Sequence, residues 1–329
     1  MGLFRRRRFL VASGALLGAT VARAQHPKRR YRVGVLVPFA LEIGTPYLGA
    51  LRERLAVHGF VAEKSLSLEP KHVSYSRRIA KEQSLILVDS KVDALFALTA
   101  IATQGAQDAT RSVPIVFSWV ADPVASGIVR DYAKPGGNTT GVTNRYFELI
   151  VKRLELVREL VPDAKRVVVL AGVFDSTLQL GMQLARPAIE RLELNVDPQE
   201  AGIDWSGAIA RAAAGGAQAV VVVTPFSLFG MSAQAQETAR AAIERRICVI
   251  YSDSGTVDLG GLVSYATGPL EDIRRGADYL ARVLRGEAPG NLAVDQASRF
   301  EMVVNRKSAQ AIGLKLPRSI LARADRVIE

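Results

Sequence analysis

The chain has 329 residues, 49% of them hydrophobic and 23% charged, with a formal net charge of +11, one cysteine and three histidines. One cysteine excludes an internal disulfide framework. Residues 1–24 hold five arginines and no acid, so the charge falls from +11 by five to +6 without them, and Lys28, Arg29, Arg30 and Arg32 gather four more positives beside that segment; the spread basic face with interleaved aromatics that nucleic-acid binding requires is not present.

Taken from the N-terminus, the four arginines Arg5 to Arg8, the apolar run FLVASGALLGATVA and the tripeptide Ala22-Arg23-Ala24 read as an export signal over residues 1–24, cleaved before Gln25. Arg6-Arg7-Arg8-Phe9-Leu10 fits a twin-arginine pattern, and an ordinary Sec signal with a rich basic region fits the same residues. The apolar run is shorter than the roughly 18 residues a membrane span needs. No cysteine follows it to take a lipid, so the expected product is a soluble, unanchored protein of the periplasm. The remaining 305 residues are many for one hydrophobic core and comfortable for two.

Past the leader, short β-branched runs alternate with helical patterns. In chain order we expect a strand at Tyr31–Val37, a helix at Pro46–His58, a strand at Leu66–Val73, a helix at Arg77–Val88, a strand at Val92–Leu98, a helix at Ile101–Arg111 and a strand at Pro114–Ser118. A long helix at Phe147–Leu160 follows, with Ile150, Val151, Leu154, Leu156, Val157, Leu160 and Val161 on one face and Lys152, Arg153, Glu155 and Arg158 on the other. Then come a strand at Arg166–Ala171, helices at Leu178–Leu192 and Ser206–Ala214, a strand at Ala219–Thr224, a helix at Ser232–Arg245, a strand at Ile247–Tyr251 and a helix at Leu270–Arg285. Arg299–Asn305 alternates like an edge strand, and Leu316-Pro317 with Ser319 caps a short last helix. Cys248 sits inside the apolar run Ile247–Tyr251, as a small buried residue would.

Runs such as VVVL and AVVVVT are apolar on both faces, which requires helices on both sides of a parallel sheet. The repeated β-α-β units therefore predict an α/β protein with doubly wound, Rossmann-like sheets. One series of units ends near Val142, a helix bridges, and a second begins at Val167, which predicts two similar lobes.

Catalytic parts are missing from this pattern. His26, His58 and His72 are scattered, and there is no Cys-x-x-Cys, no histidine pair four apart, no Gly-x-Ser-x-Gly elbow and no phosphate loop. Asp253-Ser254-Gly255 matches an aspartic-protease triad, but such an enzyme needs a second copy and an all-β frame. A binder without cofactor or metal is the expectation, and an enzyme would need a polar constellation with perturbed pKa values in the cleft.

Ligands of doubly wound sheets sit beyond the carboxyl ends of the strands. The residues placed there are Phe39, Thr99, Ala100, Trp119 and Asp122 in the first series, and Phe174, Asp175, Ser176, Thr224, Ser252 and Asp253 in the second. An amino acid would use the N–H groups at Thr99 or Ser176 for its carboxylate, Asp122, Asp175 or Asp253 for its ammonium, and Phe39, Trp119 or Phe174 for its side chain. Thr99, Asp122, Ser176 and Ser252 serve equally as helix N-caps.

The stretch Val113-Pro114-Ile115-Val116-Phe117-Ser118-Trp119-Val120-Ala121-Asp122-Pro123, continued through Pro135-Gly136-Gly137-Asn138-Thr139-Thr140-Gly141-Val142, resembles the ABC transporter substrate-binding proteins of the tryptophan/tyrosine-binding type. KRLELVRELVP at 152–162, GGLVSYATGPLEDIRRGADYLARVLRGEAPGNLAVDQASRFEMVVN at 260–305 and the tail IGLKLPRSILARADRVIE extend the likeness in the family's order over the whole mature chain. The chain departs from it at Ala97-Leu98-Thr99-Ala100, where Gly-Thr-Pro-Ala is common, and at Gly172–Asp175, where an Asn-Pro is common.

The resemblance implies a type I periplasmic-binding fold with two lobes joined by three crossovers. The lobes expected are 31–143 with 266–288, and 144–265 with 289–329. It further implies that Thr99, Ala100, Asp122, Asn144 and Tyr265 face the cleft, and that a monomer delivers an amino acid or related carboxylate to a membrane permease and its ATPase. The same fold would serve a ligand-sensing module that signals to a membrane kinase.

Overall fold

Strands without a polar face are stable only under cover on both sides, and the computed structural model supplies that cover twice. It describes residues 29–172, 178–202, 204–224 and 231–329; the expected leader and the candidate residues Phe174, Asp175 and Ser176 lie outside these. The chain runs through β1 (Tyr31–Val37), α1 (Leu41–Val57), β2 (Leu66–His72), α2 (Arg77–Asp89), β3 (Ala94–Leu98), α3 (Ala100–Ala109), β4 (Ile115–Val120) and β5 (Thr139–Thr143). It continues through α4 (Tyr146–Leu160), β6 (Arg166–Ala171), α5 (Leu178–Arg191), β7 (Asn195–Glu200), α6 (Trp205–Ala214), β8 (Ala219–Val222), α7 (Ser232–Glu244), β9 (Cys248–Tyr251), α8 (Ser254–Asp258) and β10 (Val263–Ala266). The last elements are α9 (Pro269–Leu284), β11 (Asp295–Gln296), β12 (Glu301–Asn305), α10 (Arg306–Ile312), α11 (Arg318–Arg323) and β13 (Arg326–Ile328).

The first sheet has the order β11-β5-β4-β3-β1-β2, with every pair parallel. The second has the order β13-β12-β10-β9-β8-β6-β7 and is parallel except where β10 meets β12. Val35, Phe96 and Leu98 pack against Leu51 and Leu55 of α1 and Ile273 and Leu280 of α9. On the other face Leu36 and Leu95 meet Leu87 of α2 and Ala102 and Ala106 of α3. The second sheet repeats the sandwich, with Ile150, Leu154 and Val157 of α4 over Val169, Val221 and Ile250, and Trp205 and Ile209 of α6 over Val168 and Val220. Two helices meet backbone to backbone at Gly105, where an added Cβ would lie 2.4 Å from Ala80 Cβ and 2.8 Å from the Arg77 carbonyl oxygen. Between α1 and α9, the Arg54 fork reaches Asp278 at 2.6 and 3.0 Å.

The chain crosses between the sheets three times, after β5, after β10 and between β11 and β12. Residues 289–296 depart from expectation. The expected second lobe includes them, but β11 pairs with β5 through Asp295↔Val142, and Gly136 N donates to the Gly290 carbonyl at 3.2 Å, so this segment extends the first sheet. Ala266 moves the other way, as the last residue of β10 in the second sheet.

Three further expectations are corrected. Arg299–Asn305 reads as an edge strand, but β13 pairs outside β12 and covers it. Ser319 lies inside α11, whose N-cap is Pro317 and has no side-chain cap. Arg153, expected on the solvated face of α4, is 1% exposed. Its spacing from Ile150, Leu154 and Val157 places it in the buried stripe, and helical geometry outweighs its charge. Among the described residues no helix is long and apolar enough to cross a membrane.

Candidate functional site

The carboxyl ends of the first sheet carry an aromatic wall. Phe39 follows β1, Trp119 lies within β4, and Tyr47 reaches in from α1; the three are 6%, 6% and 8% exposed. Tyr47 meets Trp119 edge to face at 4.8 Å between ring centroids, and Phe39 lies 5.6 Å from Tyr47 and 6.1 Å from Trp119. Trp119 stands here because the β4–β5 register shifts between Phe117 and Val120, with Trp119 at φ 59°. Such an irregularity redirects a side chain that regular pleating would send elsewhere. The indole Nε1 donates to the Pro269 carbonyl at 3.3 Å, fastening the wall to the start of α9.

Beside it, Thr99 holds φ 83° at the N-cap of α3, with no side-chain cap. Its Oγ1 is buried and finds no hydrogen-bond partner among the described residues. Ser74, Tyr75, Thr99, Trp119 and Arg145 all have positive φ and all lie at the carboxyl ends of β2, β3, β4 and β5. Backbone strain of about 1–3 kcal/mol per residue persists where the surroundings impose it, and it collects at ligand sites.

The second sheet presents polar groups. Asp253, 3% exposed, caps α8, with Oδ1 accepting from Thr256 N and Oδ2 from Thr256 Oγ1, each at 2.9 Å. Ser252 is buried and its Oγ has no partner among the described residues. Thr224 Oγ1 accepts from Gly172 N at 2.7 Å, which ties the ends of β8 and β6. Tyr265, at the end of β10, stacks on Phe300 at 5.8 Å.

A through-space field links the two walls. Burial raises the Tyr47 hydroxyl to about 12, and the negative charge of Asp253 adds to the effect. Tyr47 belongs to the first lobe and Asp253 to the second, so the field at one carboxyl edge reaches the other.

Other expected residues do local work. Asp122 Oδ1 accepts from Val124 N, Ala125 N and the Tyr132 hydroxyl at 2.9–3.0 Å and so holds its own loop. Asn144 Oδ1 accepts from Tyr146 N at 3.3 Å, while its N–H bonds Val120 O, so it shapes the first crossing. Ala100 is the first residue of α3 and packs beside Phe117 and Val120. At the second crossing, Thr267 Oγ1 donates to Asp272 Oδ2 at 3.0 Å; burial pushes this carboxyl up to about 7, against Thr267 and Arg275, which hold it down.

Sequence reasoning missed Tyr47, Tyr75 and Arg153. Tyr75 packs against the Phe39–Trp119 core, and burial raises its hydroxyl well above the usual range. Neither tyrosine has a sequence signal, because a helix residue and a loop residue meet only in the folded chain. Arg153 had one: it interrupts the core stripe of α4.

The family described as ABC transporter substrate binding protein matches residues 47–328 of the chain. The tyrosine-binding protein of Clostridioides difficile (strain R20291) is 28% identical over 232 residues, which is 69% of this chain and 65% of that relative's length. The fold is similar to that of a conserved domain protein from Vibrio cholerae, with a TM-score of 0.79 at 22% identity over 91% of this chain and 100% of the other. An ABC domain from Streptococcus pneumonia in complex with L-Trp matches with a TM-score of 0.76 at 22% identity, over 91% and 100% of the two chains.

Proposed function

Because the chain belongs to the ABC transporter substrate-binding protein family, whose function is binding without a catalytic step, we propose that it captures an amino acid with an aromatic side chain, or a related carboxylate, between its two lobes. The observation that carries this reading is the Phe39–Tyr47–Trp119 wall at the carboxyl end of the first sheet together with the buried Asp253 after β9 in the second. A planar side chain fits edge to face against such a wall, where aromatic contacts contribute about 0.5–1.5 kcal/mol beyond buried area. A buried carboxylate within reach of it suits an ammonium group.

Closure is a rotation about the three crossings, since a few residues at element ends absorb the change while the sheets stay rigid. The exported protein then delivers its ligand from the periplasm to a permease driven by an ATPase. The 28% identity to a tyrosine-binding protein supports this choice of ligand class.

The test is a thermal-shift titration of the purified chain with L-tyrosine and L-tryptophan. A ligand at about 100 times its Kd adds about 2.7 kcal/mol to stability. If no L-amino acid and no aromatic carboxylate raises the melting temperature, the binding reading fails. Delivery is tested by uptake of labelled ligand, which should be lost when the gene is deleted.

A further inference from the structure

Arg153 is a cation inside the second lobe. It occupies a buried position in the α4 stripe, and its side chain reaches the carboxyl end of β10, where Nε donates to the Tyr265 carbonyl at 2.9 Å. Nη1 is buried and has no acceptor among the described residues. Burial lowers the guanidinium to about 10, and the three groups that act against this are Tyr146, Asp253 and Tyr265. Each of these marks the cleft. Tyr146 opens α4 directly after the first crossing, Asp253 follows β9, and Tyr265 precedes the second crossing.

A guanidinium has five N–H donors in a planar fork that matches a carboxylate. Burying a charge without a partner is costly, and a methionine at this position would not incur that cost. Thr256 already donates to both oxygens of Asp253, and Asp253 acts on Arg153 only through space. The guanidinium therefore has donor capacity left over at the carboxyl end of β10, within the field of a carboxylate.

We propose that Arg153 receives the ligand's carboxylate while Asp253 receives its ammonium, so that the second lobe holds the head group of an α-amino acid and turns its side chain to the aromatic wall of the first. This rests on the cleft being the ligand site. Both charges belong to the second lobe, and the field of Asp253 reaches Arg153 and the Tyr47 hydroxyl of the wall.

The experiment is isothermal titration calorimetry of the full chain with L-tryptophan, L-tyrosine and their carboxamides, at about pH 6, where the α-amino groups are charged. The wild type should prefer acid to amide by at least about tenfold, as a charge-assisted fork predicts. Arg153→Met should bring that ratio close to one by weakening the acid and sparing the amide. Arg153→Lys, which keeps the charge and loses the fork, should fall between them and serves where the methionine variant does not fold. A variant that lowers the melting temperature but keeps the acid preference makes Arg153 a structural pin and overturns the assignment. Equal affinity of the wild type for acid and amide also overturns it, with the ligand site intact. Binding of neither removes the proposed function as well.

Discussion

Replacing Asp272 by asparagine removes a buried carboxyl at the second crossing. The side chain is buried near the start of α9, and the partners holding it are Thr267 Oγ1 at 3.0 Å and Arg275 Nη1 at 3.4 Å. The ion pair alone would argue for a lowered pKa. Arg275 is better engaged elsewhere, however, with Nε at 2.9 Å and Nη2 at 2.7 Å from Asp295. Burial wins, with Glu271 and Asp295 adding repulsion, and the carboxyl moves from 3.8 to about 7. At about 1.4 kcal/mol per unit, that displacement corresponds to about 4 kcal/mol. The folded state holds the proton more tightly than the unfolded chain. Its contribution is therefore complete below the ordinary carboxyl range and is lost as pH rises toward and through about 7. Asparagine stays neutral and carries no such dependence. Urea denaturation of both proteins from about pH 5 to 8 should show the variant gaining on the wild type as pH rises, with the gap levelling above the folded-state pKa. A gap independent of pH, or a wild type that gains on the variant with rising pH, would show that the Arg275 pair dominates and refute the argument.

Trp119→Ala should weaken binding of L-tryptophan by more than about tenfold, because it removes the centre of the aromatic wall, and should cost about 3–5 kcal/mol of stability by urea titration. Loss of stability with unchanged affinity would remove Trp119 from the site. Gly105→Ala forces a Cβ against Ala80 and the Arg77 carbonyl and should destabilise by about 1–3 kcal/mol, measured as a fall in the urea midpoint at constant slope. Cys248 is buried, and burial pushes its thiol up to about 12; a thiol reagent at neutral pH should modify it only at the rate of unfolding, and rapid labelling in native buffer would contradict that burial.

Most of the α/β architecture was legible in the sequence because hydrophobic periodicity records which faces of an element are buried. Runs such as Arg166–Ala171 need cover on both sides, and no long-range information is required to see it. Of the strands that escaped, three show how burial and pairing are set by neighbours. The β7 sequence NVDPQE is half exposed at the sheet edge and carries a proline, β10 is only four residues long, and β11 is two residues that exist as a strand only because β5 lies beside them. Periodicity decides local burial; pairing partners decide the rest.

The site divides in the same way. The positions after strands brought Phe39, Thr99, Trp119, Ser252 and Asp253 into view, since the carboxyl edge of a parallel sheet is where its loops converge. The sequence alone could not set Tyr47 against Trp119, pass the field of Asp253 to Tyr47, or spend Asp122 and Asn144 on their own loops. Only the tertiary structure could do that, because a side chain's free hydrogen-bonding capacity depends on neighbours distant in sequence. Arg153 shows the boundary most clearly: its place in the α4 stripe is written in the sequence, while the absence of an acceptor for its Nη1 among the described residues emerges only when α4 packs on the second sheet and its Nε meets Tyr265 O.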